Sequence, residues 1–387
     1  MNTSAMHYLP RIDGALIDEL LAGWQAAHPQ MGILALLPEA EKGAVALIQQ
    51  VCARRNLPVV GAIFPALITD AHFSSEGVWL LRFDHMPYTA LHPELPHDSE
   101  STASVAESIV AGIRPHIGND GREITLFMLF DSMVPNIGSL LDEIYLLLAN
   151  RVHYMGANAG SETFQPMPCL FDSTQIVQNG VLVMLLEPHR GAILDHGYGV
   201  PPQMITATST EGNRILQIDW RSAFEVYQEI AREQYGVDVN RENFYQYAVH
   251  FPFGIVRANG VILVRIPVAL EEDGSLFCVG EVPPNSVLTL LEAPTVDSAG
   301  TLETLVQGLT ELNGPLDVRD VMLFYCAGRR LHLGIDKASD EIKGLAEHGK
   351  PGQLGGALSL GEIGSTTQWG YPLFHNATLV ASVWNGE

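Results

Sequence analysis

One pattern recurs three times along the chain and restricts the folds open to it. In its first occurrence an apolar run, GILALL (32–37), is followed by the helical stretch AEKGAVALIQQVCARRN and then by LPVVGA, which ends at Gly61 and Ala62. In the second, ITLFMLF (124–130) leads through IGSLLDEIYLLLAN to RVHYMGA, ending at Gly156 and Ala157. In the third, VMLFYCAG (321–328) leads through SDEIKGLAEHG to QLGGA, ending at Gly356 and Ala357. Each occurrence reads as strand, helix, strand. A helix between two strands makes a parallel crossover. The closing Gly-Ala has two readings: it packs a strand against a helix, or it lets the backbone turn tightly or approach a ligand.

Hairpin signals fill the stretches between these units. CLFDSTQIVQNGVLVMLLEP (169–188) carries Asn179-Gly180, and the segment 251–294 carries Asn259-Gly260 and Asp273-Gly274. Each pair reads as the turn of an antiparallel hairpin. The fold class expected is therefore α/β (mixed α+β), with two domains, repeated strand-helix-strand units and antiparallel hairpins. STEGNRILQIDW, a polar turn before a new strand and helix, places the boundary, giving domains over 1–215 and 216–387.

With 387 residues, 47% hydrophobic and only 17% charged, the chain can bury two or three sizeable cores. Its net charge of −23 repels phosphates and anionic lipid, so neither nucleic acid nor membrane is expected as a partner. MNTSAMHYLPRIDGALIDELL lacks the basic and apolar regions of a signal peptide. The longest apolar runs are too short to span a bilayer. Cys52, Cys169, Cys278 and Cys326 are far apart and form no CxxC pair. A cytoplasmic protein with free thiols is expected. The glycosylation sequon Asn376-Ala377-Thr378 then has no role.

Several motifs bear on chemistry. GLAEHGK (344–350) has the spacing of a phosphate-binding loop, but Pro351 stands where a Ser or Thr would hold magnesium, and the segment closes a helix. Neither GxSxG, GxGxxG nor CxxCH occurs. HPELPHD (92–98) gathers His92, Glu94, His97 and Asp98 in a proline-rich loop without a fixed third metal ligand. Cys326 can be drawn as a nucleophile with Arg329 lowering its pKa, His332 as base and Glu362 nearby. A cysteine ending a core strand also reads as buried and inert, and no enzyme is expected. In ILDHGYGVPP (193–202), His196 is a surface loop histidine or an imidazole oriented by Asp195 and presented to a ligand or metal. LFHNATLV (373–380) reads as one alternating strand, with His375 and Asn376 on opposite sides unless a bulge intervenes.

Ordered motifs from about Gly32 to the end resemble the FIST family. CAGRRLHLG (326–334), GGALSLGEIG (355–364) and FHNATLV (374–380) are similar to the Cys-x-x-Arg segment, the Gly-Glu-Ile turn and the closing His-Asn-x-Thr strand of its C-terminal domain. YMGANAGSETF (154–164), QNGVLVMLL (178–186) and the stretch 195–227 follow the order of its N-terminal domain. The resemblance implies an intracellular sensory module for a small ligand. Length and layout resemble a stand-alone subgroup that binds haem, senses nitric oxide and acts on a histidine kinase or a cyclic-di-GMP enzyme, and so on biofilm behaviour. That resemblance implies non-covalent haem b. Axial candidates are His196 first, which would make it the ligand of the haem iron, then His250, His375 and His332. Arg190, Arg257, Arg265, Arg329 and Arg330 are the cations for propionates.

Two rival readings stand beside the haem sensor. In one the protein is a haem-free sensor of an amino acid or similar small metabolite, with Arg329 and Glu362 pairing the ligand's carboxylate and amine. Asn376 and Cys326 are further ligand-binding candidates, and of His375 and Asn376 one serves the pocket and the other a structural hydrogen bond. In the other it is an enzyme using Cys326. The partners expected are nitric oxide, a separate signalling protein and, as an open possibility, a second copy of the chain.

Overall fold

The structure, a computed structural model, describes residues 4–98, 101–118, 123–365 and 370–384. All three repeated units form. Gly32–Pro38 pairs parallel with Val59–Phe64, Thr125–Asp131 with His153–Ala159, and Asp320–Cys326 with Gln353–Ser359. Near-continuous apolar runs suit this arrangement, because a parallel strand is covered on both faces. The intervening helices turn apolar stripes inward. In Ile137–Leu148 the buried residues are Ile137, Leu140, Leu141, Ile144 and Leu148, the spacing of one helix face. Unit three departs from expectation: a helix, Ala327–Leu333, starts directly after Cys326 and is separated from Ile335–Gly349 by Gly334 at φ +83°.

The Gly-Ala pairs have a common cause. Gly61, Gly156 and Gly356 lie opposite Ala35, Met128 and Leu323, the fourth residue of each first strand. A Cβ at these glycines would fall 2.3, 2.2 and 1.9 Å from the carbonyl oxygens of those partners. The strands approach each other too closely for a side chain, so the close approach is strand to strand.

Each unit then sends a short strand into the sheet of another. Ala66–Thr69 of unit one pairs with the second strand of unit three, Glu362–Gly364 of unit three with that of unit two, and Leu170–Phe171 of unit two with that of unit one. The exchange closes a ring. On the other flank the first strands of units one, two and three take the antiparallel strands Val78–Phe83, Val181–Leu186 and Leu379–Trp384. Three six-stranded sheets result, and one core cluster runs across them. At its centre Phe324 lies 5.6 Å from Phe64 and 6.0 Å from Phe127, one ring from each unit.

A separate antiparallel sheet with its own core occupies residues 205–290, together with the helices Ala223–Tyr235 and Phe244–Ala248. Asn259-Gly260 and Asp273-Gly274 turn hairpins there. With 32% helix and 34% strand, the mixed α+β class holds.

Three expectations change. Asn179-Gly180 is not a hairpin turn: Ile176–Val177 pairs with Leu170–Phe171, whereas Val181–Leu186 pairs with Thr125–Asp131, so the chain crosses between sheets there. LFHNATLV is two strands, not one. Leu373–His375 pairs with Glu362–Gly364, Leu379–Trp384 pairs with Asp320–Cys326, and Ala377 sits at φ +56° where the chain changes sheet. Residue 215 falls inside the strand Arg214–Ile218, which pairs back onto Ile205–Glu211, so the chain does not divide in space at that point. All four cysteines are buried and free. Among the described residues no helix is long and apolar enough to cross a membrane.

Candidate functional site

Three segments converge where the strands of unit three end: Cys326 with the helix after it, the turn Ser359–Glu362, and the sheet-changing turn Asn376–Thr378. The thiol of Cys326 accepts the Ala377 N–H at 3.0 Å, and the Gly328 and Arg329 N–H groups also point to it. Glu362, fully buried, accepts the hydroxyls of Ser359 at 2.5 Å and Thr378 at 2.6 Å and also bonds the Cys326 thiol. Burial pushes its carboxyl up to about 7 against the pull of these donors. Burial first, and Glu362 second, push the Cys326 thiol up. At neutral pH the sulfur is protonated and serves as a hydrogen-bonding group. Of the activators expected for it, the Arg329 guanidinium is bound to Glu341 and His332 meets His250.

Arg329 has no exposed surface. Its Nε and Nη2 donate to Glu341 at 2.9 and 2.7 Å. Its Nη1 donates to the carbonyl of His196 and, at 3.4 Å, to that of Ala377. Tyr325 and Ser298 donate to the same Glu341 carboxylate. This arginine is a clamp holding three segments together, with its charge already neutralised.

The histidines separate by role. Nδ1 of His196 accepts the Tyr198 N–H at 3.0 Å, and the ring also bonds the backbone of Ile262. Backbone groups, rather than Asp195, orient it. Nδ1 of His250 lies 2.9 Å from Nδ1 of His332, so one donates to the other. His375 is fully buried and is the Cα partner of Glu362 across the strand pair. Neither of its ring nitrogens has a partner among the described residues. Burial, then the fields of His196, Arg265 and Arg257, hold it neutral. Asn376 accepts the Ile266 N–H at 3.4 Å and donates to the His375 carbonyl at 3.1 Å.

A cavity of about 280 Å³ opens beside this network. Cys326, Gly328, Leu331, Leu360 and Asn376 form one side, Ile266, Val268 and Val279 of the antiparallel sheet another, and the segment Tyr245–His250 a third. Glu162 lies at its edge, held by both oxygens to Arg330 at 2.7 and 2.6 Å. All eight residues expected at a site fall in this neighbourhood, and three of them, Cys326, Asn376 and His250, line the cavity. Larger surface depressions of about 540, 570 and 830 Å³ contain none of the eight.

The other cations are dispersed. Arg265 donates to the carbonyls of Phe374 at 2.7 Å and Glu281 at 2.9 Å, Arg190 bonds Glu123, and Arg257 lines the 540 Å³ depression. In HPELPHD, His97 bonds the Asn179 side chain at 2.8 Å. No group of three or more His, Cys, Asp or Glu fit to hold a metal occurs among the described residues. Sequence reasoning missed Glu341. Its signal was present: an acid standing within the buried stripe Ala338, Glu341, Ile342, Leu345 calls for a buried cation.

Two family profiles match the chain, one described as FIST N domain over residues 31–221 and one as FIST C domain over residues 223–365. No curated protein matches it.

Proposed function

The chain belongs to the FIST family, whose domains are sensory domains of signal transduction, and on that premise we propose that it senses a small ligand in the cavity beside Cys326. The observation that carries this reading is the double duty of the helix Ala327–Leu333. It lines the cavity through Gly328 and Leu331, and it carries Arg329, which ties it to Glu341, His196 and Ala377. A ligand that shifts this helix acts on three segments at once. It biases the protein only as far as it binds the two states differently. The signal passes to a separate signalling protein, a histidine kinase or a cyclic-di-GMP enzyme. The test is a thermal-shift screen of small molecules on the wild type and on Val268→Trp, which fills the cavity. Hits lost in the variant support the site; hits that persist there place binding elsewhere.

Haem-based sensing of nitric oxide is the finer reading that the resemblance implies, and the residues present fit haem poorly. A cavity of 280 Å³ lies below the roughly 300–1,000 Å³ of ordinary ligand pockets, too small for a macrocycle. His196 has its ring engaged by backbone, and Arg329 and Arg330 are engaged by Glu341 and Glu162. The absorption spectrum of protein mixed with ferrous haem decides this point. A stoichiometric Soret band that shifts with nitric oxide and is lost in His250→Ala would restore the haem reading.

A further inference from the structure

We infer that the ligand of the Cys326 cavity is a small uncharged molecule with an apolar body and one hydrogen-bonding head. This rests on the cavity being the ligand site, and it names the class of ligand. The argument is one of charge. The pair offered for a zwitterion, Arg329 and Glu362, is unavailable: the guanidinium is spent on Glu341 and two carbonyls, and the carboxyl on Ser359, Thr378 and Cys326. Among the described lining residues Glu162 is the only acidic side chain, and Arg330 meets both its oxygens. Burial lowers the pKa of His250, which is neutral at pH 7.

A charged head brought to the buried end at Asn376 and Cys326 would leave water there without a counter-charge, a cost that its apolar contacts would not offset. The neutral groups tell the rest. The amide of Asn376 donates one hydrogen to the His375 carbonyl, leaving its second for a guest, and the Cys326 thiol lies beside it. An alcohol or carbonyl oxygen suits that floor. Ile266, Val268, Val279, Leu331 and Leu360 then cover an apolar body.

Three probes sharing one aromatic body test the class: 2-phenylethanol (neutral), phenylacetate (anionic) and phenylalanine (zwitterionic). Each is titrated at neutral pH against the wild type, Val268→Trp and Leu331→Trp, with the melting temperature as readout. The two variants lie on different elements, so one that fails to fold leaves the other readable. The expected result is a rise of about 1–2 °C with 2-phenylethanol at about ten times its Kd. The rise is absent in the variants, and neither charged probe raises the melting temperature at equal concentration. A rise with phenylacetate or phenylalanine that the variants abolish keeps the cavity as the site and overturns the neutral class. Shifts that survive in both variants, or no shift with any probe, overturn the class and the cavity reading together.

Discussion

At the scale of single residues, the network behind the cavity sets its electrostatics. Glu362 and His189 are both buried and titrate in opposite senses. Burial pushes the Glu362 carboxyl up to about 7 from 4.5, so the folded state keeps a proton that the unfolded state has released. Its contribution is lost as pH rises from 4.5 to 7, by about 3 kcal/mol at most. Burial, then His153, pushes His189 down to about 4 from 6.5, and its contribution is lost as pH falls through that range. Over pH 4.5–6.5 the two slopes largely cancel. Glu362→Gln removes one of them. Urea unfolding should then show the variant gaining about 3 kcal/mol on the wild type between pH 4.5 and 7.5. Parallel profiles would sink the assignment of a raised carboxyl.

At the scale of elements, glycine has opposite meanings in strand and helix. At Gly156 a Cβ would lie 2.2 Å from the backbone oxygen of Met128, an atom that cannot swing aside. Gly156→Ala should destabilise the protein by about 3 kcal/mol or more, because the central strand pair must separate. Gly23, exposed in the helix Gly14–Ala27, meets nothing within 4 Å. Gly23→Ala should stabilise by up to about 1 kcal/mol through helix propensity. Chemical denaturation of the two variants checks the contrast, and equal effects would contradict the strand-contact account. The same reasoning covers Gly61 and Gly356, which occupy the equivalent place in units one and three.

At the scale of the whole molecule, the ring of exchanged strands makes the halves of the chain interdependent. A fragment 1–215 loses Gln353–Ser359 from Ala66–Thr69 and Glu362–Gly364 from His153–Ala159, and it is cut within Arg214–Ile218. A fragment 216–387 loses Ala66–Thr69 from the edge of Gln353–Ser359 and Ile193–Asp195 from Leu379–Trp384. Each half exposes strand edges and apolar sheet faces, which invite aggregation. Separate expression should give insoluble or unfolded material, and co-expression should recover a soluble complex. A well-dispersed amide spectrum from either half alone would overturn this.

The three strand-helix-strand units, their parallel pairing and two of the three hairpins were determined by the sequence alone. Apolar runs and helical stripes are local signals, and in each unit the interacting segments lie close along the chain. That the eight candidate residues lie near one another was legible in part, since they sit in short motifs, and three of them line the cavity. The tertiary structure alone decided how the units join. Exchange strands of two to four residues carry no period of their own, and a pair such as Ile68 and Gly356 is separated by most of the chain. It also decided which charges remain for a ligand. Arg329 reads in the sequence as a free cation; Glu341 is close along the chain, but only the fold brings the carbonyl of His196 against the same guanidinium. The exchange-strand pairing and the His196 contact both depend on which distant partners arrive, and local sequence carries little information about that.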